Sequence, residues 1–372
     1  MKTFYIHTYG CRMNIVDSEC IVTIMQKSGY VYTSDMVCAD IIILNSCSVR
    51  EDGHTAIYNQ LDKIATFERQ PLVILVGCFA MLIEKELIKR YTQLKLVVTT
   101  HHYRQLPILC SKIEKHKIES GFFQANAAYD LFEDILPTRV FESTNRAAIN
   151  IVKGCNQNCT YCIEPRTRES QHCRSLTSIL NEAHDIVKQG YAEITLVGHL
   201  IDCYRWTDDL GKEYDFADVL RIIAEQCPKQ RIRFLSSHPN YFSEETIDVI
   251  CACPNIAHLV HLPIQSASNT VLNRMNRGYT KEQFISLYQS LRQRVPDIQI
   301  VTDIMVGFCS ETESEFNETV EFLDTYPFED INAFMFSMRI GTYAALHYMD
   351  DVPPEIKHQR YEIVKQYKKG LI

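Results

Sequence analysis

Residues 147–162 read AAINIVKGCNQNCTYC. Ala147–Val152 has the length and composition of a buried strand. The loop behind it spaces Cys155, Cys159 and Cys162 as C-x3-C-x2-C. A strand that runs into a set of ligand-type side chains is the pattern of a βα barrel, whose chemistry collects at the carboxyl ends of its strands. The number of thiols is informative. A structural zinc site is closed by four protein ligands, whereas a four-iron cluster held by three cysteines keeps one iron open. On spacing alone, zinc completed by His172 or Cys173 stands beside iron–sulfur, as does a site with no metal.

Working outward, strand and helix patterns alternate on both sides of this loop. Downstream, strands are expected at Glu193–Val197, Arg231–Leu235, His258–Leu262, Gln299–Ile304 and Asn332–Phe336. Helices are expected at Leu176–Lys188, Phe216–Cys227, Ser243–Cys251, Lys281–Arg294, Glu311–Thr325 and Pro354–Lys368. Six βα units make a partial TIM-type barrel, (βα)6, short of a closed eight. Upstream, Thr3–Thr8, Ile41–Asn45, Leu72–Val76 and Leu94–Val98 read as strands. Asn14–Ser28, Glu51–Arg69, Ala80–Arg90 and Tyr103–His116 read as helices. That pitch predicts an α/β domain with a doubly wound, mainly parallel sheet. The weakly patterned stretch between them gives the expected division: a domain over 1–118, a linker over 119–145 and a barrel over 146–372.

Composition narrows the setting. The 372 residues include 15 cysteines and carry a formal net charge of −8. No apolar run is long enough to span a bilayer, and the start lacks a signal-peptide pattern. A cytoplasmic, non-membrane protein is expected, and in that compartment cysteines serve metals or catalysis more often than disulfides. Acidic charge argues against a dedicated nucleic-acid binder, although KQRIR at Lys229–Arg233 is locally basic.

Three further cysteines stand out. Cys11, Cys47 and Cys78 each follow a predicted N-terminal strand. Ligands in open α/β sheets bind beyond the carboxyl ends of strands, so three loops at one rim would gather these thiols. The alternative is three buried core cysteines.

At this point the chain resembles a known family. C-x3-C-x2-C with an aromatic before the last cysteine is similar to the signature of radical S-adenosylmethionine (SAM) enzymes. TYGCRMNIVDSE, NSCSVRE, VGCFA, KGCNQNCTYCIEPRTR, FLSSHP, HLPIQSASN, MNRGYT, TDIMVGF and SMRIGT resemble the methylthiotransferase branch, in particular its tRNA-modifying members. The resemblance runs from residue 3 to about residue 345.

It implies two [4Fe–4S] clusters, one on Cys155, Cys159 and Cys162 and an auxiliary one on Cys11, Cys47 and Cys78. The open iron of the first would bind SAM and yield a 5′-deoxyadenosyl radical. The second would carry the inserted sulfur, and a second SAM would supply the methyl group. The implied substrate is N6-isopentenyladenosine-37 beside the tRNA anticodon, converted from C2–H to C2–SCH3. Bases in single-stranded loops leave their stack most cheaply. Tyr161, Gly198, Ser236, Gln265, Asp303 and Gly307 are candidates to bind SAM. Arg166, Arg168, Arg277 and Arg339 are candidates for substrate contact. Structural roles are expected for His238, His258 and His261. A flavodoxin- or ferredoxin-type electron donor and a monomeric state are expected; the sulfur source is not legible.

The chain also departs from the pattern. PRTRESQ (Pro165–Gln171) replaces a usual PYTRGRE, and His199 and Leu200 replace Gln-Asn. Ala267 replaces a glycine, and Cys309–Ser310 replace Pro-Gly. The small RNA-binding TRAM domain that usually follows the barrel is expected to be absent. Two other readings remain at this stage: a methylthiotransferase acting on N6-threonylcarbamoyladenosine-37, and a cluster-binding paralogue without catalysis.

Overall fold

A computed structural model describes residues 1–48, 51–82, 86–123, 130–141 and 145–369. Val49 and Arg50 of NSCSVRE, and parts of the expected linker, lie outside the described residues. Two compact units emerge: 1–155 with 164–185, and 156–163 with 186–372.

The first unit is built on β1 (Thr3–Thr8), α1 (Arg12–Lys27), β2 (Val31–Tyr32), β3 (Ile41–Ser46), α2 (Glu51–Ala65), β4 (Leu72–Gly77), α3 (Glu86–Arg90), β5 (Leu94–Val98), α4 (Leu106–Glu114) and β6 (Gly121–Phe123). The strand order is β2-β1-β3-β4-β5-β6, and every pairing is parallel. The sheet is therefore wholly rather than mainly parallel, with two short edge strands that the sequence pattern did not reveal. A two- or three-residue strand is too brief to show alternation. Residues of both strand parities are buried. Ile42, Leu44, Val73 and Leu75 pack with Ile57, Leu61 and Ile64 of α2, while Ile41, Ile43, Ile74 and Val76 are also buried. Burial on both faces is what parallel sheets require, and it explains the unbroken apolar runs. Truncating such a residue, Leu75→Ala for example, costs about 2–5 kcal/mol.

Of the expected helix at Ala80–Arg90, residues 83–85 lie outside the described residues; the rest forms a 3-10 turn at Phe79–Met81 and α3. The helix expected at Tyr103–His116 begins as a 3-10 turn, and its α-helical part starts at Leu106, with Pro107 in the first turn. Proline has no N–H to donate there and none is needed. The described part of 119–145 holds β6 and packs into this unit. Phe132 is buried and stacks on Tyr103, and Arg139 forms buried ion pairs with Glu19 and Glu182.

The barrel series begins with β7 (Arg146–Lys153), α5 (Glu164–Thr167), β8 (His172–Cys173), which pairs antiparallel with β7, and α6 (Leu176–Lys188). The second unit continues with β9 (Glu193–Gly198), a small hairpin β10 (Arg205–Thr207) and β11 (Glu213–Asp215), α7 (Phe216–Gln226), β12 (Arg231–Phe234) and α8 (Glu244–Ala252). It ends with β13 (Leu259–His261), α9 (Asn269–Arg274), α10 (Lys281–Arg294), β14 (Gln299–Val306), α11 (Glu313–Thr325), β15 (Asp330–Met335), α12 (Tyr343–His347) and α13 (Pro354–Lys365). Within this unit β9 pairs parallel with β12, and β13, β14 and β15 pair parallel in order. The six-strand βα series of a partial barrel is present. Helix starts follow capping chemistry: α11 begins at Glu313 rather than Glu311 because the Thr312 hydroxyl accepts from Glu315 N, and the Glu315 side chain reciprocates. Among the described residues no helix is long and apolar enough to cross a membrane.

Candidate functional site

In the first unit, Cys11 follows β1, Cys47 follows β3 and Cys78 follows β4. β1 and β3 are the neighbours at which the strand order reverses, the crevice where open α/β sheets bind ligands. The structure brings the three thiols together. Cys11 and Cys47 share a hydrogen bond, and Cys78 lies within electrostatic reach of Cys11. Cys11 is exposed at the N-terminus of α1, whereas Cys47 and Cys78 are buried. The Cys47 hydrogen bond pushes the Cys11 thiol up, and burial pushes the Cys78 thiol up to about 12. Gly10 adopts φ +130°, and a Cβ there would stand 2.5 Å from Cys47 Cβ, so only glycine allows this approach.

The donor set fits an iron–sulfur cluster. All three ligands are thiols, from three loops on one rim. Among the described residues no three His, Cys, Asp or Glu side chains close around a single ion. In a four-iron cluster each cysteine takes a different iron, so such convergence is not needed.

Beneath these thiols lies a buried polar network that the sequence did not announce. Asp17 Oδ2 stands 2.5 Å from Arg168 Nη1, and Asp17 Oδ1 is 3.4 Å from Lys153 Nζ. Arg168 Nε donates to Cys78 Sγ at 3.0 Å. Against the cost of burial, the charges of Arg168 and Lys153 hold the Asp17 carboxyl below its usual range. Asp17 belongs to the quoted DSE and Arg168 to PRTR. For Asp17 the available signal was a charge beside the apolar Ile15 and Val16; for Arg168, in the polar PRTRESQ, there was none. Arg168, expected at the substrate, is only 1% exposed and engaged here. Arg166 is exposed on α5; Arg339 is half-buried, and its carbonyl accepts from Thr342 N and Oγ1 at the start of α12.

Cys155 follows Gly154, where a Cβ would collide with Ser170 O at φ +73°. Cys155 N donates to Glu169 O at 3.2 Å. In the second unit, Cys159 is buried and Cys162 half-buried, and Cys162 N donates to Cys159 O at 3.0 Å. Arg277, also expected at the substrate, is buried beside them. Its Nη1 stands 3.4 Å from Cys159 Sγ and 3.3 Å from Tyr161 OH, and its Nε donates to Tyr279 OH at 3.1 Å. Tyr161 packs edge-on against Phe308.

The other expected SAM contacts sit at strand ends. Gly198 ends β9 and is buried. Ser236, after β12, and Gln265, after β13, hold φ of +75° and +72°. Such strain in residues with a Cβ clusters at ligand sites. Gln265 is locked by Asp303 O and Met305 N on the neighbouring β14. Gly307, at φ +70°, donates its N–H to Glu311 Oε2. Asp303 Oδ1 accepts from Asn332 Nδ2 at 3.0 Å and stands 2.8 Å from His261 Nε2. The three histidines have separate surroundings: His258 pairs with Asp297, His261 with Asp303, and burial lowers His238 to about 3.

Three of the departures are absorbed in the packing. Leu200, Ala267 and Cys309 are buried, and Cys309 joins the cluster of Val271, Met275, Phe308, Phe336 and Ala344.

Residues 3–99 match the family described as "Uncharacterized protein family UPF0004", and residues 149–323 match the "Radical SAM superfamily". A tRNA-2-methylthio-N(6)-dimethylallyladenosine synthase of Bacteroides fragilis is 37% identical over 362 residues, 96% of this chain and 79% of that protein. One of Syntrophotalea carbinolica is 35% identical, covering 99% and 85%. Two solved structures share the fold at low identity. The radical SAM methyltransferase TsrM of Kitasatospora setae has a TM-score of 0.66 at 14% identity, over 93% of this chain and 75% of that one. The cobalamin-dependent radical SAM enzyme OxsB has a TM-score of 0.63 at 15% identity, over 100% and 57%. Identity at this level over nearly the whole chain, with the C-x3-C-x2-C thiols in place, makes this protein a member of the radical SAM methylthiotransferase family, enzymes built on a [4Fe–4S] cluster and S-adenosylmethionine.

Proposed function

We propose that the protein converts N6-isopentenyladenosine-37 of tRNA to its 2-methylthio derivative. The observation that carries this reading is the second set of thiols, Cys11, Cys47 and Cys78, gathered at the rim of the first unit's sheet. Sulfur insertion needs a sulfur donor besides the cluster that binds SAM, and a separate set of thiols offers a place to hold one. The named relatives, synthases of 2-methylthio-N(6)-dimethylallyladenosine, support the substrate.

In this reading residues 1–118 form the methylthiotransferase domain that holds an auxiliary [4Fe–4S] cluster, and 146–372 the radical SAM core, with 119–145 between them. Cys155, Cys159 and Cys162 hold the cluster that, with SAM bound, supplies a 5′-deoxyadenosyl radical able to take hydrogen from an aromatic carbon. The chain binds and orients. Ser236, Gln265, Gly198 and Gly307 offer backbone and polar groups to SAM at the strand ends. Tyr161, fixed by Arg277, would contact the adenine of SAM. Asp303, held by His261 and Asn332, would line the adenine end of the SAM site. Arg166 and Arg339 contact the RNA. A flavodoxin- or ferredoxin-type donor supplies electrons in the cytoplasm to a monomeric enzyme.

Nucleoside analysis of tRNA from a strain lacking the gene is the test. Loss of 2-methylthio-N6-isopentenyladenosine, restored by the parent chain but not by Cys11→Ala, is expected. Unchanged levels refute the reading, and loss of the threonylcarbamoyl analogue instead redirects it to that substrate.

A further inference from the structure

Arg168 lies six residues after Cys162, yet its side chain ends against Cys78. The link is continuous within the first unit. Cys155 N donates to Glu169 O at 3.2 Å, the adjacent Arg168 donates from Nε to Cys78 Sγ at 3.0 Å, and its Nη1 reaches Asp17 Oδ2 at 2.5 Å. Burying a guanidinium is costly unless it is paired and hydrogen-bonded. Asp17 satisfies one edge of it. Lys153 faces the other Asp17 oxygen at 3.4 Å, Tyr103 OH stands 3.5 Å from Asp17 Oδ2, and the Glu164 carboxylate is within electrostatic reach. Acid and base charges in the network thus balance, two against two. What remains is direction: the group aimed at sulfur is an N–H carried by a cation.

We infer that Arg168 is a positioning residue of the auxiliary cluster, whose Nε–H donates to the Cys78 sulfur and raises that cluster's reduction potential. A hydrogen bond from a cationic donor stabilises the more negative, reduced cluster. Asp17 acts through Arg168 by fixing the guanidinium plane. The inference rests on the reading of Cys11, Cys47 and Cys78 as cluster ligands.

The test uses the full-length chain carrying Cys155→Ala, Cys159→Ala and Cys162→Ala, so that only the auxiliary cluster can form. After anaerobic reconstitution, iron and sulfide are counted and the cluster is titrated against potential by EPR. The parent of this series is expected to bind about four irons. Arg168→Gln is expected to keep them and to titrate at a more negative potential, with Arg168→Lys between the two. Equal iron with an unshifted potential overturns the inference. A parent without iron refutes the second-cluster reading itself, and the inference falls with it. A measurement on unaltered packing guards against a variant that fails to fold. In the parent labelled with [15N]arginine, pulsed EPR of the reduced cluster is expected to show a 15N coupling, and its absence overturns the assignment.

Discussion

Ser310 and Asp351 are joined by two hydrogen bonds: Asp351 Oδ1 accepts from the Ser310 backbone N at 2.6 Å, and Oδ2 accepts from its hydroxyl at 2.8 Å. Ser310 holds φ +58°, a left-handed conformation that costs a residue with a Cβ about 1–2 kcal/mol. Serine keeps its Cβ in that conformation, and Asp351 offsets the strain. Asp351→Ala is expected to lower stability by about 1 kcal/mol, and by less once Ser310→Gly has relieved the strain and removed the hydroxyl. Denaturant midpoints of the four chains in this cycle measure the coupling. Equal losses in both backgrounds would mean the two residues act independently.

His261 Nε2 and Asp303 Oδ1 lie 2.8 Å apart. Burial alone would lower the imidazole, but the Asp303 carboxylate overcomes it and holds His261 above its ordinary value of 6.5. The ion pair's contribution to stability is therefore complete below about pH 6.5 and is lost as pH rises through the folded value. In Asp303→Asn the His261 proton is expected to leave at lower pH, and the parent's stability advantage to shrink on going to alkaline pH. NMR titration of the imidazole carbons reports this directly; an unmoved midpoint would refute the pairing.

Asp202 is buried, and burial pushes its carboxyl up to about 7 although His238 N and the Ser237 hydroxyl donate to it. A raised carboxyl favours the folded state while protonated. Its contribution is fully present below an ordinary carboxyl value and is lost as pH climbs through about 7. Asp202→Asn keeps an acceptor and removes the ionisation. The variant is expected to gain up to about 4 kcal/mol over the parent at pH 8 and almost nothing near pH 4. Thermal unfolding at the two pH values distinguishes this from a gain that does not depend on pH.

Arg277 gathers Cys159, Tyr161, Tyr279 and the Pro263 carbonyl around one guanidinium. Residues that orient metal ligands typically matter by about 10–100-fold. Arg277→Gln is expected to slow dithionite-driven 5′-deoxyadenosine formation by that factor while total iron is retained. A normal rate would leave Arg277 a packing residue.

Much of this was legible in advance, for identifiable reasons. Apolar runs such as Ile41–Leu44 and Leu72–Val76 betray buried parallel strands because both faces are covered. The cysteine motif is a local signal, read from neighbours in the chain. The buried pairs were not legible. Asp17 meets Arg168 across 151 positions and Thr23 meets Thr138 across 115, and nothing in the local pattern joins them. Arg168 and Arg277 looked like surface arginines because exposure is the usual fate of arginine.

Residue type, spacing and apolar periodicity along the chain carried the family, the order of the longer strands and helices, and the placing of six cysteines behind strands. Only the tertiary structure decided which charges are buried and what they face. It turned Arg168 toward Cys78, Arg277 toward Cys159 and Asp351 toward Ser310, because burying a charge or straining a backbone is stable only where distant segments converge to satisfy it.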